Sequence, residues 1–142
     1  MAVVLEDIAD KLEESSEHWE QYLNTLTGEF VYLSDGSYVE ADHELAEEIE
    51  NSNVYIRLPN QREIRGFDIM EAFAEATPDA AKSEKLFDAL HGRKPFRRFK
   101  DTLSFIGMDK AYYAFRFLAY IRIAKEWCER HDIPYTTRKE QI

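Results

Sequence analysis

The feature that most constrains this chain is a helical run from Asp109 to about His131 that is apolar around most of its circumference. Tyr113, Phe117, Tyr120, Ile121, Ala124, Trp127 and Cys128 recur at helical spacing. Tyr112, Phe115, Ala119 and Ile123 form a second stripe beside them. A helix this apolar does not lie on the outside of a fold, so other elements must surround it. Each large side chain that it buries contributes about 1.5–3 kcal/mol. We therefore expect the long helix to be central.

The segments before it have helical periods too. Pro95 is placed to open a helix whose Phe96, Phe99, Leu103 and Ile106 make one buried face, and Gly107 ends it. Asp101 lies within reach of Arg97 and Arg98, one turn back. Thr77 at the N-cap and Pro78 at the first turn predict a helix that buries Leu86, Phe87 and Leu90 and closes at Gly92. His91 then sits at its C-terminal end, where a cation is favoured. Asn60 followed by Glu63 has capping-box spacing and predicts a helix carrying Ile64, Phe67, Met70, Phe73 and Ala74 inward.

The N-terminal half mixes periods. Leu5, Ile8, Ala9 and Leu12 form one stripe of a short helix. Aromatic and β-branched runs from Glu17 to Ser34 flank Leu26-Thr27-Gly28, which predicts a hairpin with His18 as a cross-strand residue. Asp35-Gly36-Ser37 ends its second strand. Leu45, Ala46 and Ile49 mark a short acidic helix with Asp42 or Ala41 near its start. Val54, Ile56 and Leu58 alternate as a strand, stopped by Pro59. Ile133-Pro134-Tyr135 reads as a tail returning to the sheet edge. The expectation is a single α+β domain over residues 1–142, with a small antiparallel sheet from the N-terminal half packed against a C-terminal helical layer. A chain of this length buries roughly 70% of its unfolded surface and needs no metal or disulfide to fold.

Charge narrows the function classes. The net charge of −10 disfavours general nucleic-acid binding through long-range repulsion of phosphates. Yet residues 1–56 hold 15 acidic side chains against one basic, while residues 57–142 hold 13 acidic against 17 basic. Either two oppositely charged faces attract within the domain, or one face is free to attract anions. The N-terminus lacks the basic region of a secretory signal, and no apolar run spans a membrane, so a cytoplasmic protein is expected.

The positive charge concentrates in Arg93, Lys94, Arg97, Arg98 and Lys100. Arginine forks near a helix start suit phosphates or carboxylates. The alternative is that these cations pair with the acidic half and lock the domain together. Phe96 and Phe99 have the interleaving of a base-stacking platform, but their spacing places them in the core. His18, His43, His91 and His131 are scattered without metal-type spacing, so no metal and no cofactor is expected. Asp68, Glu71 and Glu75 share a helix edge that reads as solvated rather than catalytic. Cys128, the sole cysteine, sits on the apolar stripe, where a thiol is inert. No catalytic residue is assigned.

GRKPFRRFKDTL at 92–103, followed by a glycine, a tyrosine-rich helix start and Glu126-Trp127-Cys128, resembles a bacterial family known as Uncharacterised Protein Family 0158. LPNQREI at 58–64 with Met70 and Phe73, and the Leu23–Gly28 turn, carry the same likeness. Asp109-Lys110-Ala111-Tyr112-Tyr113 departs from the acidic-Trp-Tyr pattern expected there. The resemblance implies a compact α+β domain and supplies no mechanism. The expected function is a non-enzymatic interaction or regulatory domain that binds a protein partner through its charged faces. The alternative is a binder of a phosphate-containing ligand or nucleic acid through residues 93–100.

Overall fold

Helical and strand periods alternate in the first half of the chain and give way to helices, and the computed structural model, which describes residues 2–34 and 40–138, keeps that order. It runs β1 (Val3–Val4), α1 (Leu5–Glu13), β2 (Trp19–Asn24), β3 (Phe30–Ser34), α2 (Glu40–Glu50), β4 (Tyr55–Arg57), α3 (Gln61–Ile64), α4 (Gly66–Ala76), α5 (Ala80–Leu90), α6 (Pro95–Ile106), α7 (Asp109–Arg130) and β5 (Tyr135–Thr136). The fold class is α+β, as expected. The turn read at residues 35–37 lies outside the described residues. The chain divides into two compact units, one of Met1–Ile64 with Tyr120–Ile142 and one of Arg65–Ala119, and the division falls within α7.

The first unit is built on a three-stranded antiparallel sheet in the order β3-β2-β4. The predicted hairpin pairs Trp19 with Ser34 through to Leu23 with Phe30. Its loop closes because the Asn24 side-chain oxygen accepts from the N–H groups of Leu26 and Thr27, at 2.9 and 3.2 Å, and Gly28 takes a left-handed φ of 78°. His18 lies in the turn before β2 rather than in the strand, its N–H bonded to the Ser16 hydroxyl. Gln21 and Leu23 put the inner face of β2 into the core, and Gln21 Nε2 donates to the Lys11 carbonyl at 2.8 Å, tying the sheet to α1. Leu5, Ile8, Ala9 and Leu12 are all buried, as their spacing predicts.

Two features of this unit depart from the sequence reading. The tail does return, but to β1 rather than to the three-stranded sheet: Val3 and Val4 pair in parallel with Tyr135 and Thr136. Strands of two residues show no period, and a parallel partner far along the chain leaves no local turn signal. The capping box forms as read, with Glu63 N–H on Asn60 Oδ1 at 2.9 Å and Asn60 N–H on Glu63 Oε1 at 3.0 Å. The helix it opens, however, is only α3. It stops at Ile64, and Arg65 adopts a left-handed conformation (φ 58°) before α4 begins.

The second unit packs α4, α5, α6 and the first half of α7 around aromatic rings. Phe73 meets Tyr112 and Phe115 edge-on, each at 5.3 Å between centroids, and Phe99 meets Tyr112 at 5.1 Å. Edge-to-face pairs contribute roughly 0.5–1.5 kcal/mol each beyond their burial. Thr77 does not cap α5. Its hydroxyl donates to the Phe73 carbonyl at the end of α4, and Asp79 caps α5 by accepting from Lys82 N–H at 3.1 Å. Pro78 holds Thr77 extended (ψ 117°), so the next helix restarts beyond the proline. Phe67 is 36% exposed rather than inward. Gly107 ends α6 at φ 71°, with Met108 N–H on the Leu103 carbonyl at 2.9 Å.

The long helix itself is real and slightly shorter than read, ending at Arg130. Its stripes need correcting in the first half. Tyr112 is buried, whereas Tyr113 is exposed with the Arg116 guanidinium 4.9 Å above its ring, and Leu118 is exposed too. No helix among the described residues is long and apolar enough to cross a membrane.

Candidate functional site

The cationic residues singled out from the sequence converge on the α5–α6 junction of the second unit. The Nδ1 of His91 lies 2.6 Å from the Phe87 carbonyl at the end of α5. Gly92 and Arg93 follow, and Lys94 takes a left-handed φ of 51° at the N-cap of α6, with no side-chain cap bond. Pro95 then opens α6 as predicted. Phe99 and Leu103, both fully buried, fix which side of α6 faces inward. At about 100° per residue that choice sends Arg97, Arg98, Lys100, Asp101 and Phe105 outward.

All five candidate residues, Arg93, Lys94, Arg97, Arg98 and Lys100, are exposed. Every residue of this unit is described, and none of the five makes an ion pair with a carboxylate of its own unit. The expected bridges from Asp101 to Arg97 and Arg98 do not form. Arg98 instead folds its guanidinium back over Gly92, so close that a Cβ there would lie 1.5 Å from Nη1. Elsewhere in this unit Arg65 pairs with Asp68 at 2.8 Å.

Phe96 corrects the sequence reading most sharply. It has core spacing but is 52% exposed, its ring lying against Gly66, where an added Cβ would stand 3.4 Å from Cε1. It sits at the edge of the inner face, in the first turn, where too little of the unit reaches to cover it. The surface therefore joins an open aromatic ring to free cations. The sequence reading also missed Phe105, 81% exposed with the Lys85 ammonium 5.3 Å from its ring. Helical angle alone would have found it, since it lies seven residues from the outward Arg98.

The other polar groupings explain themselves structurally. Arg57 donates to Glu63 at 2.7 Å, and with the Asn60 N–H this bond holds the Glu63 carboxyl below the usual range. The spacing of Asn60 and Glu63 marks the capping box in the sequence, whereas nothing local marks Arg57 as its partner. The Tyr22 hydroxyl is pushed up to about 12, first by burial and then by its bond to Glu20. Burial pushes the Cys128 thiol up to about 11, so it is a poor nucleophile at neutral pH. Asp68, Glu71 and Glu75 are exposed on the outer side of α4. No group of three or more histidine, cysteine or carboxylate residues suited to a metal ion occurs among the described residues.

The family model described as Uncharacterised protein family (UPF0158) matches residues 1–141. The chain belongs to this family. No curated protein and no solved structure matches it. In this UPF0158 protein the segment that carried the resemblance, residues 92–103, runs from the end of α5 through the first two turns of α6. Its buried members, Phe99 and Leu103, hold the helix down. Its exposed members form the cationic surface.

Proposed function

We propose that this protein is a non-enzymatic interaction or regulatory module of the bacterial cytoplasm that binds an acidic protein partner through Arg93, Lys94, Arg97, Arg98 and Lys100. One observation carries the reading. Five neighbouring cations stand exposed with no carboxylate of their own unit bound to them, in a chain of net charge −10. Surface cations that serve only stability tend to be paired or interspersed with carboxylates, whereas a cluster of predominantly one sign, here five cations with Asp101 beside them, steers oppositely charged partners. Replacing Arg93, Arg97 and Arg98 together by Ala should leave the far-ultraviolet spectrum unchanged and abolish capture of a partner identified by mass spectrometry from the wild-type pull-down. Equal capture by the triple variant would refute the reading.

A second reading, binding of a phosphate-containing ligand or nucleic acid, draws on the exposed ring of Phe96 beside Arg97, because bases stack on such rings. It predicts a steep salt dependence, with log affinity falling by about 0.7–0.9 per phosphate contacted for each tenfold rise in salt. Absence of binding to a labelled single-stranded oligonucleotide at low salt removes it.

A further inference from the structure

On the acidic-partner reading just given, we infer that the partner is a short acidic peptide segment that also carries a large apolar side chain, and that this side chain rests on Phe96. The cations are not evenly placed around α6. Phe96, Arg97 and Lys100 lie at i, i+1 and i+4, on the shoulder of the helix next to the buried Phe99. Phe96 lies over Gly66, and the next residue after that glycine, Phe67, is itself 36% exposed. The half-open ring of Phe96 thus shares one side of α6 with two cations, an apolar centre with a charged rim. The aliphatic stems of arginine and lysine extend the apolar part, while their heads remain in water.

Charge favours a short peptide over a long polyanion. The unit that holds the surface carries 10 basic against 8 acidic side chains, +2, while the other unit carries 8 basic against 20 acidic, −12. The helical part of the cluster, from Pro95 to Lys100, rises about 7.5 Å, and Arg93 and Lys94 before it bring the span to roughly 10–14 Å, a little over one Debye length at physiological salt. An extended peptide of three or four residues covers that span at about 3.3 Å per residue. A longer anion would leave the cluster and meet the rest of the same unit, where 8 acidic side chains stand against the other 5 of its 10 basic ones.

The test uses the full chain and two short labelled peptides of glutamates, one with a central tryptophan and its twin with serine there, followed by fluorescence anisotropy at low salt. The tryptophan peptide should bind roughly 10- to 100-fold more tightly, the range expected from burying one large apolar side chain. Phe96→Ser should bring the ratio of the two affinities to about one, and Arg97→Ala with Lys100→Ala should weaken both peptides alike. Phe105→Ser, which removes the exposed ring on the other shoulder of α6, should leave the ratio unchanged. Equal binding of the two peptides overturns the inference and leaves the acidic-partner reading standing. Binding of neither peptide overturns that reading as well. Tighter binding of oligothymidylate than of the tryptophan peptide overturns both in favour of nucleic acid.

Discussion

The indole Nε1 of Trp127 donates to the carbonyl oxygen of Arg57 at 2.9 Å, joining α7 to the end of β4 across 70 positions of sequence. The ring is 2% exposed, so the bond lies in an environment where losing it leaves a carbonyl without its partner. Trp127→Phe should lower unfolding stability by about 1–3 kcal/mol, and Trp127→Ala by about 3–5 kcal/mol. Urea denaturation followed by circular dichroism checks both. An unchanged midpoint for Trp127→Phe would mean the bond contributes nothing.

Acid should act partly through Glu63. Its carboxyl is held low by Arg57 and by the Asn60 N–H, so its folded value lies below its unfolded one. The stability from this group is fully present above the unfolded value, roughly 4.3, and is lost as pH falls from there through the folded value. Glu63→Gln should therefore flatten the pH dependence of stability below about pH 4.3 and cost about 0.5–2 kcal/mol at neutral pH through the weakened cap. Denaturation midpoints from pH 3 to pH 7, the range that brackets that value, measure it.

Phe99 and Phe96 share a helical period but not a fate. Phe99→Ala empties a fully buried site against Phe73 and Tyr112 and should cost about 3–5 kcal/mol. Phe96→Ala removes a half-exposed ring and should cost less than about 1.5 kcal/mol. Thermal unfolding of the two variants gives the comparison directly, and equal losses would place Phe96 in the core after all.

Cys128 is fully buried and its thiol is pushed up to about 11. Ellman's reagent at pH 8 should modify it only through unfolding, so the labelling rate should rise steeply with denaturant below the unfolding midpoint. Immediate reaction in native buffer would show that the helix end opens locally.

Two glycines flank the cationic segment with opposite requirements. Gly107 has φ 71° and open space around it, so Gly107→Ala should cost about 1 kcal/mol through backbone conformation alone. At Gly92 an added methyl meets the end of the Arg98 side chain, a flexible group that swings away. Gly92→Ala should leave stability within about 0.5 kcal/mol of wild type while freeing the Arg98 guanidinium to solvent. Chemical denaturation of both variants separates the cases.

What was legible in the sequence was local. The stripe of α1, the Asn24–Gly28 turn, the Asn60–Glu63 capping box, the Gly107 stop and the length of α7 all depend on residues within a few positions of one another. Pairing of Val3 with Tyr135 was not legible, because two-residue strands carry no period. The break at Arg65 was not legible either, since arginine gives no warning of a left-handed backbone. The same limit applied to the surface. The cluster from Arg93 to Lys100 stood out by count, but periodicity placed Phe96 inside, and only the folded unit shows that half of its ring stays open. Nor does composition reveal that Arg98 turns onto Gly92 rather than toward Asp101.

Lys94 and Arg65 each precede a helix in a left-handed conformation, as N-cap residues without a side-chain cap bond. Glycine adopts that conformation without the steric cost of about 1–2 kcal/mol that a side chain adds, and asparagine or aspartate would relieve part of it. A sequence tuned only for folding would therefore place one of those residues at both positions. The chain carries cations there instead, so it sits below the stability its backbone allows. At Arg65 the ion pair with Asp68 offsets part of that cost; Lys94 makes no such pair within its unit, and the strained residue there is one of the five exposed cations.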